Sequence, residues 1–108
     1  METENRLIAE FMGYKKSIAN TWFKGNKIVQ TTSFKYDSDW NWLMKVVEKI
    51  ESIKIETYKV RVDIYFNCCQ IYPTHWDELI SIYGNNETKL QTTYKAVIEF
   101  IKWYNEQK

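Results

Sequence analysis

The chain has 108 residues, with 15 Lys+Arg against 14 Asp+Glu and a formal charge of +1. That length fits one domain, residues 1–108, able to bury a core without disulfide or metal staples. The near-zero charge argues neither for a nucleic-acid binder nor against one. No apolar run approaches the roughly 20 residues of a membrane span, and the polar start Met1-Glu-Thr-Glu-Asn-Arg6 is unlike a secretory leader.

Residues 4–12 read as a short helix. Thr3 is placed to cap it, Leu7, Ile8, Phe11 and Met12 to face inward, and Gly13 to end it. From Gly13 to Tyr36 the chain carries five lysines (Lys15, Lys16, Lys24, Lys27, Lys35) and no acid. Within that stretch Lys24-Gly-Asn-Lys27 is a turn signal between Trp22-Phe23 and Ile28-Val29, so a hairpin or ragged edge strand is expected. A second helix follows Asp37-Ser-Asp39. Asp37 or Ser38 can cap it, Asp39 suits its positive end, and Leu43, Val46, Val47, Ile50 and Ile53 recur at helical spacing, with Trp40 and Met44 widening the face.

Residues 58–66 are the cleanest strand, with Tyr58, Val60, Val62, Ile64 and Phe66 alternating with polar or amphipathic neighbours. Asn67 turns the chain and residues 68–72 return as its partner. Pro73 to Asp77 breaks the pattern. The run at 78–83 is short and β-rich, which favours a third strand over a helix. Thr88-x-x-Gln91 matches a capping box and opens the last helix. That helix carries two stripes: Leu90, Tyr94, Val97, Ile101 and Tyr104, and beside them Ala96, Phe100 and Trp103. The expected fold class is α+β, an antiparallel sheet of three to five strands packed with three helices. Val60, Val62 and Ile64 are expected to lie on Leu43, Val47, Val97 and Ile101.

Three segments carry a family likeness. Met12-Gly-Tyr14, Tyr36-Asp-Ser-Asp-Trp-Asn-Trp-Leu-Met44 running into Val46-Val-Glu-Lys-Ile-Glu51, and Tyr94-Lys-Ala-Val-Ile-Glu-Phe-Ile-Lys-Trp-Tyr-Asn105 resemble the phage ABA sandwich family. The likeness covers roughly half the chain. It implies helices flanking a sheet and a small protein encoded by a phage or prophage, hence a bacterial cytoplasm. It implies no catalytic residues.

No chemical motif stands out. His75, the single histidine, has Asp77 near it but no nucleophile or orienting partner at a recognisable spacing. Cys68 and Cys69 are adjacent, which suits neither a disulfide between them nor the spaced ligand pairs of zinc; both read as reduced thiols, with no metal or cofactor. Asp37 and Asp39 are explained by capping. Gly13, Gly25 and Gly84 are isolated, so no phosphate-cradling loop exists.

Two sets of residues are candidates for binding. Lys15, Lys16, Trp22, Lys24 and Lys27, with Phe23 beside Trp22, combine cations with aromatic rings, the pattern that holds a nucleotide-like anion or a nucleic acid. Phe100, Trp103, Tyr104 and Trp76 belong to an aromatic surplus (five Trp, eight Tyr, five Phe) suited to a protein interface, with a homodimer the default form. The leading expectation is a non-enzymatic binding protein that occupies a host protein or a small anionic ligand, as in counter-defence or host takeover. Nucleic-acid binding through residues 14–35 is the alternative. A small hydrolase built from His75, Asp77, Asp37 and Asp39 is the third reading.

Overall fold

The computed structural model describes residues 2–16, 22–25, 27–29, 34–74 and 79–107, without the side chains of Glu2 and of residues 27–29. The element order is α1 (Glu2–Phe11), β1 (Tyr14–Lys16), β2 (Trp22–Lys24), β3 (Lys27–Val29), α2 (Trp40–Ser52), β4 (Lys54–Ile55), β5 (Tyr58–Ile64), β6 (Cys68–Pro73), β7 (Ile80–Tyr83) and α3 (Lys89–Glu106). The fold is α+β, as the sequence predicts. Its strands divide into two antiparallel sheets, β1-β2-β3 and β4-β5-β6-β7.

The larger sheet is a meander whose register sorts the side chains. Val60 faces Pro73, Val62 faces Ile71 and Ile64 faces Cys69; on the next strand Cys69 faces Ile82 and Ile71 faces Ile80. Opposed residues share a face, so these form one apolar inner surface. The helices divide it between them. α2 packs on β5 while α3 lies across β6 and β7. Val60 and Val62 are buried as expected, Ile64 only half so. α3, which carries Val97 and Ile101, packs on β6 and β7, and α2 is the helix that packs on β5.

Pro73 is tolerated in β6 for a geometric reason. Thr74 N–H donates to Lys59 O at 3.0 Å, so the backbone at position 73 turns the other way. On that side the described pairing of β6 with β7 stops at Ile71 and Ile80, so among the described residues the missing N–H costs no ladder bond.

α2 buries Leu43, Val46, Val47 and Ile50, each contributing roughly 1.5–3 kcal/mol. Its cap is Asp39, whose carboxylate accepts the Asn41 N–H at 2.8 Å. Asp37 and Ser38 do not cap; Asp37 instead accepts from Asn5 Nδ2 at 3.1 Å. Met44 is exposed and adds nothing to the core. Thr3 lies inside α1, which starts one residue earlier, so it is not the cap. Gly13 does end α1, at φ +98°. Thr88 and Gln91 form the predicted capping box of α3. Just before it, Gly84 closes the corner between β7 and α3. Its N–H donates to Asn67 O at 2.7 Å, and an added Cβ would lie 2.6 Å from Thr92 Oγ1.

The smaller sheet extends the predicted hairpin by one strand. Lys24 pairs with Lys27 across the turn that holds Gly25, at φ +63°, and β1 pairs along β2 from Tyr14–Lys24 to Lys16–Trp22. β1 was missed because its residues, Tyr14-Lys-Lys16, offer no apolar alternation.

Candidate functional site

The short ladder of β1 and β2 sets the geometry at the lysine-rich segment. Tyr14 stands opposite Lys24 and on the same face, with the Lys24 ammonium 5.0 Å over the Tyr14 ring. Phe34 joins this sheet to the helices. Its ring lies 5.4 Å from Tyr14, 5.0 Å from Trp22, 6.0 Å from Tyr36 and 6.3 Å from Trp42. Trp42 also meets Tyr36 edge-on at 5.3 Å. Lys45 follows Trp42 by three residues and so shares its side of α2.

These residues enclose a cleft of about 200 Å³ lined by Met12, Tyr14, Lys24, Tyr36, Trp42 and Lys45. Two lysines and two tyrosines are among its described lining residues, and no carboxylate is. Burial, reinforced by nearby Tyr14, pushes the Tyr36 phenol well above its ordinary value. Tyr36 thus stays a hydrogen-bond donor at any physiological pH. The arrangement offers an anion cationic and neutral donors against an aromatic wall.

Of the residues named from sequence, Lys24 is in this cleft. Lys15 is exposed on the opposite face of β1, since successive strand residues alternate, and Lys16 is exposed at the far end of the ladder. Lys27 lies opposite Lys24, its side chain outside the described residues. Trp22 is 4% exposed and packed on Phe34, so it is a core residue, not a stacking platform for a ligand. Its burial follows from the register, which puts it on the face turned to Phe34. Tyr14, Tyr36, Trp42 and Lys45 were missed. The two tyrosines border the lysine-rich segment, but Lys45 sits on a helix between Asp39 and Glu48, where no charge run marks it.

The aromatic set on α3 is corrected in the same way. Phe100 is 0% exposed and cannot meet a partner. It stacks on Tyr104 at 6.0 Å and tilts against Trp103 at 5.9 Å, while Phe11 of α1 meets Tyr104 edge-on at 6.0 Å. The first helix, short as it is, packs on α3 through this Phe11–Tyr104 contact, and Trp103 and Tyr104 are half-buried. Trp76 lies outside the described residues. Among the described residues the exposed large rings are Phe66 (83%), Tyr83 (68%), Tyr65 and Tyr58, all on the larger sheet or its turns.

The outer face of that sheet holds a polar cluster. Asp63 accepts from Arg61 Nε at 2.9 Å and from the Tyr72 hydroxyl at 2.6 Å. Burial pulls the Asp63 carboxyl upward, but the bonds from Tyr72 and Arg61 outweigh it and hold it below the usual range. The same bond to Asp63 raises Tyr72. Asp63 is acceptor-only and fully engaged, which suits it to fixing the sheet rather than to proton transfer.

The residues of the hydrolase reading are not brought together. Asp37 is tied to Asn5, Asp39 caps α2, and His75 and Asp77 lie outside the described residues. Cys68 and Cys69 are free and buried, and burial, the largest influence, pushes the Cys69 thiol up to about 12. Among the described residues no three His, Cys, Asp or Glu side chains are placed to share a metal ion, and no helix is long and apolar enough to cross a membrane. Compared with protein-family models, with curated proteins and with solved structures, the chain finds no match.

Proposed function

We propose that this is a non-enzymatic binding protein that captures a small anion, of phosphate or carboxylate chemistry, in the cleft between Lys24 and Lys45. One observation carries the reading: two lysines from separate elements converge with Tyr14 and Tyr36 on a cleft that no described carboxylate lines. Each ammonium–anion hydrogen bond is worth about 1.5–3 kcal/mol, enough for capture when several act together. Through the resemblance to small phage-encoded proteins, the natural source of the anion would be the bacterial host. Nucleic acid fits less well, because Trp22 is buried and, of the Trp22-Phe23 pair, only the half-buried Phe23, opposite Lys15, is left to stack on a base.

Calorimetric titration with inorganic phosphate, pyrophosphate and ATP tests it. Binding should be measurable for at least one probe, weaken with salt, and fall about tenfold in Lys24→Gln and in Lys45→Gln, or about 1.4 kcal/mol each. Lys15→Gln should bind as the parent does. No heat at millimolar probe, or binding indifferent to both cleft substitutions, would sink the proposal.

A further inference from the structure

We infer that the open edge of β7 is a self-association site and that its occupant is a second copy of this chain, paired antiparallel through Ser81 and Tyr83. The inference rests on the larger sheet alone and is independent of the anion cleft.

Among the described residues β7 is an outermost strand, bonded on one side to β6. Edge strands are normally protected by charge, proline, bulges or brevity. The opposite edge has such protection: β4 is two residues long, begins with Lys54, and runs into a turn with Glu56 and Thr57 at positive φ. β7 has none. Its residues Ile80-Ser-Ile-Tyr83 carry no charge and no proline, and none of them is fully buried.

The hydrogen-bond phase specifies the pairing. Gly84 N–H donates inward to Asn67 O. Antiparallel ladders alternate, so Ile82 and Ile80 also bond inward to β6, and the N–H and C=O of Ser81 and Tyr83 point out of the edge. A second β7 in antiparallel contact then places Ser81 opposite Tyr83 of the other copy, and the reverse, about a two-fold axis at Ile82. Both pairs are hydrogen-bonded ones, each exchanging two bonds. The same register sets the large exposed Tyr83 ring over the small Ser81 side chain on the outer face, twice, which is the self-complementarity that a two-fold interface demands.

The helical layer agrees with this spacing. α3 lies across β6 and β7. With strands about 4.8 Å apart, the two copies of α3 would run roughly 10 Å from each other, the distance at which helices pack. The α3 residues beside this edge line a cleft of about 370 Å³ with Ile82; of its charged lining residues, Lys95 and Lys102 pair within the chain with Glu87 and Glu99, and Glu4 and Asp37 complete it.

Sedimentation of the full chain, with amide hydrogen exchange at low and high concentration, tests the assignment. The mass should rise to a dimer with concentration. Protection should appear at the Ser81 and Tyr83 amides in step with it, while the Ile82 amide is protected throughout. Ser81→Lys places a charge in the seam and Ser81→Pro removes an outward N–H that β6 does not use; each should weaken association at least tenfold, with folding followed by circular dichroism. If the proline variant unfolds, the lysine variant still decides. A chain that stays monomeric at millimolar concentration overturns the inference. So does a dimer that a folded Ser81 variant leaves intact, or one that forms without protecting Ser81 and Tyr83.

Discussion

Asn5 is the residue on which three elements depend. Its side chain is buried in α1, donates to Phe34 O at 3.0 Å and to Asp37, and accepts from the Tyr94 hydroxyl at 2.9 Å. Tyr94→Phe leaves the Asn5 carbonyl without that donor and should cost about 1–3 kcal/mol in denaturant unfolding. The same phenol bears on pH. Tyr94 and Tyr36 are raised chiefly by burial, and Cys69 rises for the same reason to about 12. A group raised in the folded state holds its proton there after the unfolded chain has released its own. Its contribution is complete below the unfolded value, roughly 8.5 for a thiol and 10 for a phenol, and is lost as pH climbs toward the folded value. The melting temperature should therefore fall steadily from about pH 9 upward, and Tyr94→Phe should flatten that fall. A melting curve unchanged between pH 8 and 11 would contradict the assignment of these groups as buried and protonated.

At the scale of the element, legibility followed pattern strength. α2 and α3 carry long periodic runs and lie where the sequence puts them, while β5 stops at Ile64 and leaves Phe66 exposed in the turn beyond; the capping box of Thr88 and Gln91 fixed the start of α3 to the residue. Val62, opposite Ile71 on the inner face, shows what such a run is worth. Val62→Asp buries a charge with no described partner, a cost of several kcal/mol. The variant should lose its cooperative thermal transition, whereas Arg61→Ala one position away should keep it. β1 and β4 could not be read, because two or three residues are too few to display a period and their pairing is decided by distant neighbours. The cleft was half legible. A lysine run announces itself in one dimension, but Lys45 reaches the same space from a different element, and only folding brings it there.

For the molecule as a whole, the aromatic surplus has an internal use. The smaller sheet reaches the rest of the protein through rings: Tyr14 and Trp22 on its side, Tyr36 and Trp42 on the other, and Phe34 between them. Phe34→Ala should cost about 3–5 kcal/mol, and the loss should not be spread evenly. Residues 14–16 and 22–24 should gain hydrogen exchange and protease sensitivity well before residues 58–73, a graded opening that exchange mass spectrometry resolves. Uniform loss of protection along the chain would show that the two sheets unfold as one unit. Anion binding at Lys24 should fail in the same variant, since the cleft is assembled across that joint.

The corner between β7 and α3 ties two positions into a single unit of variation. Thr92 is wholly buried, its hydroxyl donates to Thr88 O at 3.1 Å, and a β-branched side chain in a helix has little rotamer freedom with which to retreat. Gly84→Ala should therefore destabilise the chain by about 1–3 kcal/mol, an overpacking cost, while Gly84→Ala combined with Thr92→Ala should recover part of it. The signature is a non-additive double-mutant cycle, with a coupling of about 0.5–3 kcal/mol in the rescuing direction. Divergent chains of this fold should then exchange the pair together, a larger residue at the corner accompanying a smaller one in the first turn of the helix. That correlated substitution is a mark by which remote relatives can be recognised even where helix and strand sequences have drifted apart.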